Sequence, residues 1–343
     1  MQSSAPFQAN TSSNESLDKR TLLSGVPAIE SPFFSYHFPS ESTDPELLRI
    51  ASDLHTQGYS VLSFPDDNFD KLSQEIIDDL APKFDFESWK TNPEAKRAGL
   101  RIQDAYKTNR GVKSLACNAQ ILDLLAKLYG RAPIPFQTLN FPVGSQQHFH
   151  ADSVHFSSLP AGFMCGVWIA LEDIGPEQGP LLYYPGTHRW PTYCNDEIGA
   201  YPNPKEGQGR YEALWQALVD QAKIDPQPFY AKKGDALIWA ANLLHGGAPH
   251  LNNHLTRWSQ VTHYYFDGCT YYTPLYSSPA HGIWRYRTPT NMLTGELAKN
   301  ALEQEPNDFD PQRYLDLNPD VKAAGIDPKE HFLQFGAKEN RPW

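Results

Sequence analysis

The second half of the chain contains a series of short β-type runs, and this feature limits the possible folds most strongly. Each run is rich in aromatic and β-branched residues, and Gly or Pro turns separate it from the next. Runs of this kind after a helical start predict a mainly β fold with flanking helices, organised as a jelly-roll or cupin-like double sheet. The predicted strands are Phe136–Phe141, Gln147–His150, Phe163–Glu172, Leu181–Tyr184, Ala236–Trp239 and Arg257–Phe266.

Helical periodicity dominates the residues before this series. Asp44 is a candidate N-cap for the first helix, and Gly58 follows its end. A strand over Tyr59–Phe64 comes next. The predicted helices are Pro45–His55, Phe69–Leu80 and Asn118–Tyr129.

Changes in composition and in the pattern of apolar residues divide the chain into a main domain and two flanking units. The N-terminal segment is polar and poor in aliphatic residues, which predicts a disordered arm. An insertion with an amphipathic helix near Tyr211–Ala222 interrupts the strands and is predicted to act as a lid. A polar helix over Leu293–Gln304 precedes the last unit. The predicted units are an arm (1–30), a main domain (31–305) with the lid-like insertion (191–232), and a small helical C-terminal module (306–343).

The charge balance excludes several classes of partner. The chain has 29 Lys and Arg against 40 Asp and Glu, a formal net charge of −11. Binding to nucleic acid or to an anionic membrane requires a basic face, so neither is expected. The longest uncharged apolar run, Gly162–Leu171, is too short to span a bilayer, and residues 1–20 lack the apolar core of a secretory signal. We therefore expect a soluble, cytoplasmic protein.

A His-x-Asp motif lies in the predicted strand that starts at Gln147. His150 and Asp152 are two positions apart, so on a strand both side chains would face one centre. Two histidines and one carboxylate form the facial triad that binds Fe(II) and leaves positions open for substrate and O₂. The motif alone is a weak signal, because His-x-Asp occurs by chance in many proteins.

A third ligand and an anion-binding residue follow later in the chain. His245 is at the end of an apolar run, directly before Gly246, so its ring can face inward without crowding. Arg257 and Ser259 share one face of the next predicted strand. A guanidinium beside a hydroxyl is a good receptor for a carboxylate in a partly dry pocket.

Taken together, these motifs resemble the phytanoyl-CoA dioxygenase family of Fe(II)/2-oxoglutarate oxygenases. Their order and spacing fit that family over roughly residues 40–290. The matching elements are His150-Ala151-Asp152, Val167–Asp173, Gly179-Pro180-Leu181, Pro185–His188, Lys233-Gly234-Asp235, His245 and Arg257.

The resemblance implies a double-stranded β-helix fold, a set of site residues and a reaction. It implies a dioxygenase that uses Fe(II), 2-oxoglutarate and O₂, hydroxylates a small organic substrate and releases succinate and CO₂. Halogenating relatives lack the carboxylate ligand, and the presence of Asp152 therefore implies a hydroxylase. The implied metal ligands are His150, Asp152 and His245; Arg257 and Ser259 would bind the distal carboxylate of 2-oxoglutarate, and Trp168 and Gln137 would lie beside it.

Two other functions remain open at this stage. The same fold could serve as a catalytically silent ligand-binding module. His148 and His150 form a His-x-His pair, which would fit a cupin-type metal enzyme that does not use 2-oxoglutarate. The sequence predicts turn or surface positions for His155, His250, His254 and His263, whereas His188 and Arg189 could either stabilise a turn or face the pocket.

The C-terminal module resembles a short unit that recurs in bacterial proteins, some of them glycosyltransferases or cell-surface proteins. The matching motifs are Phe309-Asp310-Pro311-Gln312-Arg313-Tyr314-Leu315, Asn318-Pro319-Asp320-Val321 and Ala324-Gly325. We expect two short helices, Asp310–Leu315 and Asp327–Phe335, and a docking or stabilising role, with a protein partner as one option. The resemblance points to a bacterial source and leaves glycan, lipid and secondary metabolism open for the substrate.

Overall fold

The computed structural model describes residues 18–91, 100–201, 203–299, 309–336, 339 and 341–343. The architecture is mainly β with flanking helices, as the sequence predicts. The strands are β1 (Tyr59–Ser63), β2 (Ile102–Gln103), β3 (Pro133–Phe141), β4 (Ser157–Leu159), β5 (Met164–Ala170), β6 (Leu181–Tyr183), β7 (Gln227–Phe229), β8 (Asp235–Ala240), β9 (His245–Gly247), β10 (Ser259–Phe266), β11 (Thr270–Tyr272) and β12 (Tyr286–Arg287). The α-helices are α1 (Phe34–His37), α2 (Pro45–Gln57), α3 (Phe69–Leu80), α4 (Phe86–Thr91), α5 (Arg110–Ala116), α6 (Ala119–Tyr129), α7 (Gly207–Ala222), α8 (Pro311–Leu317), α9 (Pro319–Ala324) and α10 (Pro328–His331).

The strands form three antiparallel sheets, in which many neighbouring strands are not consecutive in the sequence. The major sheet has the order β1-β8-β5-β10-β3-β2, and a minor sheet has the order β7-β6-β9. A third sheet has the order β12-β11-β4. Non-consecutive neighbours of this kind are typical of a double-stranded β-helix, and they bring segments that are distant in sequence to one site.

The major sheet is buried on both faces, and the side chains of its strands alternate between two cores. On β5, Val167 and Ile169 pack in the helix-covered core with residues of α2, α3, α5 and α6. Trp168 and Ala170 point the other way, into the core shared with the minor sheet. This alternation follows from the two-residue period of a strand, and it determines which side chains can reach the site between the sheets.

The three helices predicted before the series of strands are present as α2, α3 and α6, with small shifts at their ends. Asp44 caps α2 by accepting hydrogen bonds from the backbone N–H groups of Glu46 and Leu47, and Gly58 ends the helix with a φ of 86°. No helix in the described part of the chain is long and apolar enough to cross a membrane.

Four predictions about local structure need correction. Residues 147–149 are not a strand, and His150 makes only an isolated bridge. Residues 293–299 are not helical, and the remainder of the predicted helix there lies outside the described residues. The insertion contains β7, which pairs with β6, so its end belongs to the minor sheet. Residues 1–17 of the predicted arm lie outside the described residues, but Ala28 and Ile29 are buried in the helix-covered core.

The C-terminal unit has its own small core of Phe309, Tyr314, Val321 and Phe332. A third helix, α9, lies between the two predicted ones and starts at Pro319, because proline fits the first helical position. Two apolar residues of this unit, Leu317 and Phe335, lie outside that core and are exposed.

Candidate active site

A backbone bridge brings His150 and His245 together. The N–H of His150 donates to the carbonyl of His245 at 2.8 Å, and the N–H of His245 donates back to His150 at 2.9 Å. Gly246 makes this approach possible, since a Cβ there would lie 2.8 Å from the carbonyl oxygen of Gln147. The predicted strand geometry of the His-x-Asp motif is wrong in detail, because Asp152 begins a short 3₁₀ turn (Asp152–Val154).

The structure brings His150, Asp152 and His245 into one buried cluster. One ligand atom from each residue lies within 4.8 Å of the other two. The Nε2 atoms of His150 and His245 lie 3.7 and 3.8 Å from the carboxylate oxygens of Asp152. Two imidazoles and a carboxylate are the donor set of a facial triad, so the cluster fits a single Fe(II) ion.

The backbone orients both imidazoles for metal binding. The Nδ1 atoms of His150 and His245 each lie 3.0 Å from a carbonyl oxygen, that of His148 and of Leu243 respectively. A proton on Nδ1 satisfies this hydrogen bond and leaves the Nε2 lone pair directed at the cluster. Burial, together with the neighbouring His245, lowers the pKa of His150 to about 3, so the ring is neutral near pH 7.

Asp152 is held in place by two side chains that the sequence interpretation did not assign. The indole N–H of Trp239 donates to Oδ2 of Asp152 at 2.8 Å. Nε2 of His263 lies 3.4 Å from the same oxygen. Burial raises the pKa of Asp152, but the adjacent His245 and His263 outweigh it and hold the pKa below its ordinary value. The carboxylate is therefore ionised and fixed in orientation.

His263 is the clearest error of the sequence interpretation. It is buried on β10 rather than at a turn or on the surface, and its Nδ1 lies 3.0 Å from Oε1 of Gln137. The alternation that puts Arg257, Ser259 and Val261 on one face continues to position 263, and this signal could have identified it. Gln137 lines the same cavity, and the His263 ring lies between its side chain and the carboxylate of Asp152.

Arg257 is a buried cation with an incomplete set of partners. It is 2% exposed, and Nη1 donates to Oγ of Ser259 at 3.0 Å. Its Nε has no hydrogen-bond partner among the described residues. Burial lowers the pKa of Arg257 to about 10, although the negative charge of Glu172 acts in the opposite direction and raises it. A buried guanidinium with an open donor is a site for an anion.

One cavity of about 450 Å³ connects Arg257 with the His-Asp-His cluster. Trp168 forms part of its wall, and its ring lies 5.4 Å from the guanidinium carbon of Arg257. Ser259 is buried behind Arg257 and orients it. The cavity therefore offers a metal site at one place and an anion site at another.

The remaining histidines are placed as follows. His148 is exposed, and it is not part of the metal-ligating cluster found among the described residues. A His-x-His metal site therefore has no support. His250 is buried and accepts from the N–H of Gly144, so its surface assignment is wrong. His155 lines the cavity, whereas His254 is exposed. His188 packs beneath Gly58 and lies outside the metal cavity.

The position of Trp239 depends on the glycine opposite it. Gly166 on β5 pairs with Trp239 on β8, and a Cβ at Gly166 would overlap the indole ring. We predict that Gly166→Ala displaces the indole from Asp152 and lowers the free energy of unfolding by about 1–3 kcal/mol. Fe(II) affinity should also fall, by roughly 10–100-fold.

Denaturant unfolding and iron titration check this prediction. Gly209→Ala is the matched control, because a Cβ at that exposed position in α7 meets no atom within 4 Å. It should leave stability unchanged or raise it by up to about 1 kcal/mol. Wild-type stability and iron affinity in Gly166→Ala would contradict the role given to the glycine.

Fold and site together define a class of protein. A double-stranded β-helix with a buried His-Asp-His cluster and a buried arginine in one cavity is the arrangement of a mononuclear iron oxygenase. The family model for phytanoyl-CoA dioxygenase (PhyH) matches residues 69–258, more than half of the chain. The chain belongs to this family of Fe(II)/2-oxoglutarate-dependent oxygenases, as its motifs predict.

Solved structures show the same fold at low sequence identity. EctD from S. alaskensis, solved with 2-oxoglutarate and 5-hydroxyectoine, is 19% identical with a TM-score of 0.50, covering 66% of this chain and 78% of its own. The carbocyclase SnoK from nogalamycin biosynthesis is 15% identical with a TM-score of 0.50, covering 76% and 95%. The epimerase SnoN from the same biosynthesis is 20% identical with a TM-score of 0.47, covering 70% and 92%. A search of curated proteins found no match.

Proposed function

We propose that this chain hydroxylates a small organic substrate in a reaction that consumes 2-oxoglutarate and O₂ and releases succinate and CO₂. The observation that supports the proposal is that one cavity contains both the His150-Asp152-His245 cluster and the open donor of Arg257. A cupin-type enzyme with a His-x-His site is less well supported, because His148 is exposed and lies outside the cluster.

The metal site is formed by three side chains with different tasks. His150 and His245 would bind Fe(II) through Nε2, because their Nδ1 atoms are engaged by backbone carbonyls. Asp152 would bind through the carboxylate that Trp239 and His263 hold in place. When bound with 2-oxoglutarate, Fe(II) supplies the activation of O₂ that a protein side chain cannot provide.

The anion site positions the cosubstrate. Arg257 would bind the distal carboxylate of 2-oxoglutarate in a charge-assisted pair, and Ser259 would fix the guanidinium. Trp168 and Gln137 would line the cosubstrate pocket. Because Arg257 is buried, water would compete poorly for this pair, and a cosubstrate bound there would have its 2-oxo acid end directed toward the metal-binding side chains.

Hydroxylation is proposed over halogenation because Asp152 occupies the carboxylate position that halogenating relatives lack. Solved proteins with this fold include an epimerase and a carbocyclase, so the fold alone does not determine the outcome. The test is an aerobic assay with Fe(II) and 2-oxoglutarate. Succinate release is measured with and without candidate substrates, and the product is analysed for ¹⁸O after reaction under ¹⁸O₂. We expect iron-dependent succinate release and ¹⁸O in the product. Succinate release with an unlabelled, non-hydroxylated product would contradict hydroxylation, and no release would favour the silent binding module.

The insertion is proposed to act as a lid over this cavity. Gln208 on α7 lines the cavity, and Tyr211 and Trp215 on the same helix pack in a core with Leu244, next to His245. Motion of α7 would therefore change access to the metal site. Limited proteolysis within residues 191–232 should slow when Fe(II) and substrate are bound, and an unchanged rate would argue against a lid.

The C-terminal module is proposed to dock a partner or stabilise the protein without contributing to the chemistry. Its core residues are distinct from those of the other cores. A variant ending at residue 305 should retain iron-dependent succinate release within about twofold, because none of the described cavity-lining residues belongs to the module. Loss of this turnover in a truncated protein that still gives a cooperative unfolding transition would show that the module completes the site.

A further inference from the structure

A half-buried carboxylate that the proposed chemistry does not use is bonded to the chain on both sides of Arg257. Oε2 of Glu172 accepts a hydrogen bond from Oγ1 of Thr256 at 2.9 Å. Oε1 of Glu172 accepts one from the backbone N–H of Trp258 at 2.6 Å. The two oxygens of one side chain therefore hold the residue before and the residue after Arg257.

The regular pairing of the major sheet does not extend to Arg257. The pairing of β10 with both β3 and β5 begins at Ser259, further along the chain. Before that point, the N–H of Arg257 donates to the carbonyl of Pro142 at 2.8 Å, and the carbonyl of the next residue accepts from the N–H of Leu171 at 3.0 Å. The carboxylate of Glu172 adds two further bonds at the place where the regular ladder has ended.

The charge of Glu172 also acts on Arg257. It raises the pKa of the guanidinium, which burial lowers to about 10. Burial raises the pKa of Glu172 itself, although the bonds from Trp258 and Thr256 and the charge of Arg257 act in the opposite direction. The carboxylate leaves the Nε donor of Arg257 without a partner, so this donor stays open to a ligand. Glu172 thus supports the cation without occupying the anion site.

Glu172 lies behind Arg257 as seen from the metal cavity. Arg257 lines this cavity, whereas Glu172 is not among the described lining residues. A ligand in the cavity therefore contacts Arg257 and reaches Glu172 only through it. The planar fork of a guanidinium must match the plane of a carboxylate to bind it through two parallel bonds, so a small rotation of Arg257 weakens the pair. A side chain that fixes the backbone on both sides limits this rotation.

We propose that Glu172 is a positioning residue for the cosubstrate: by binding both neighbours of Arg257 in the chain, it holds the guanidinium in the orientation that the distal carboxylate of 2-oxoglutarate requires. This inference rests on the proposed function, since it adds a residue to the same cosubstrate site. It gives Glu172 no contact with the metal, with 2-oxoglutarate or with the substrate.

The first test is anaerobic titration of 2-oxoglutarate into the full-length, iron-loaded variants. Glu172→Ala removes both acceptors and should weaken 2-oxoglutarate binding about tenfold or more, since a hydrogen bond to a charged group is worth roughly a factor of ten. Fe(II) affinity without 2-oxoglutarate should stay at the wild-type value. Glu172→Gln can still accept from Trp258 and donate to the hydroxyl of Thr256, so its 2-oxoglutarate affinity should lie within about threefold of wild type.

A double-mutant cycle separates positioning from a general effect on the fold. If Glu172 acts through Arg257, its loss has no further effect once the arginine is gone. The double variant Glu172→Ala with Arg257→Leu should therefore bind 2-oxoglutarate within about twofold of Arg257→Leu alone. If Glu172→Ala does not unfold cooperatively, Thr256→Val takes its place in the cycle; it removes one of the two bonds and should weaken binding about threefold.

Asp173→Asn is the matched control. It removes the neighbouring carboxylate, which is exposed and pairs with Lys232 at 2.8 Å, and it should bind 2-oxoglutarate like wild type. Wild-type 2-oxoglutarate affinity in a folded Glu172→Ala, equal losses in the alanine and glutamine variants, or losses that multiply in the double variant would each overturn the inference. An equal loss of Fe(II) affinity in Glu172→Ala would also overturn it, because the role would not be confined to the anion site.

The two proposals fail in distinguishable ways. If wild-type protein does not bind 2-oxoglutarate in the presence of Fe(II), the proposed function fails before any variant is compared. If wild-type protein binds 2-oxoglutarate and Arg257→Leu weakens this binding, but Glu172→Ala does not, the function stands and the role given to Glu172 is wrong.

Discussion

Asp152→Ala is expected to lower Fe(II) affinity by more than about 100-fold, because loss of residues that only support a ligand already costs 10–100-fold. The carboxylate supplies the only anionic donor of the His-Asp-His cluster. Its removal also leaves the indole N–H of Trp239 buried without an acceptor, at a cost of about 1–3 kcal/mol in folding free energy. Metal analysis after equilibrium dialysis, with thermal unfolding of the same samples, measures both effects.

His148→Ala is the matched control for this experiment. It removes a histidine two residues before His150, but His148 is exposed and lies outside the cluster. Iron stoichiometry should stay at the wild-type value. Retention of iron in Asp152→Ala, or its loss in His148→Ala, would replace the proposed triad with a His-x-His site.

Arg257→Leu is expected to weaken 2-oxoglutarate binding by about 2–5 kcal/mol, the cost of breaking a desolvated charge pair. Leucine leaves the distal carboxylate without a partner in a pocket that excludes water. The apo-protein should be equally or more stable, because an incompletely paired buried cation is replaced by an apolar side chain. Fe(II) binding in the absence of 2-oxoglutarate should not change.

Arg257→Lys separates charge from geometry. Lysine keeps the positive charge but lacks the planar fork that Ser259 orients, so 2-oxoglutarate affinity should fall between those of wild type and Arg257→Leu. Titration of 2-oxoglutarate into the iron-loaded proteins measures the order. Wild-type affinity in Arg257→Leu would show that the anion site lies elsewhere in the cavity.

The sequence predicted the general fold and the clustering of the three metal-binding side chains. The fold followed from the strand patterning, which is a local property, and the clustering followed from the order and spacing of the motifs, which resemble those of the family. The predicted strand over Gln147–His150 is wrong, since tertiary contacts with β9 shape that segment more strongly than its own β propensity.

The contacts between segments that are distant in the chain could not be predicted from the sequence. From the sequence alone, Trp239 would be assigned as an ordinary core aromatic. Only the pairing of β8 with β5 shows that Gly166 leaves room for the indole ring beside Asp152. Glu172 and the neighbours of Arg257 that it binds are also far apart in the chain, and no spacing rule links them. The inward position of His263, in contrast, could have been predicted from the alternation of side chains along its strand.

Anaerobic titration of the apo-protein with Fe(II) and then 2-oxoglutarate tests the central claim most directly. Chelation of the metal by a 2-oxo acid gives a weak visible absorption band. We predict a band that requires both additions, saturates at one equivalent of iron, and needs far more 2-oxoglutarate in Arg257→Leu. Stoichiometric iron binding with no band at any 2-oxoglutarate concentration would contradict the account.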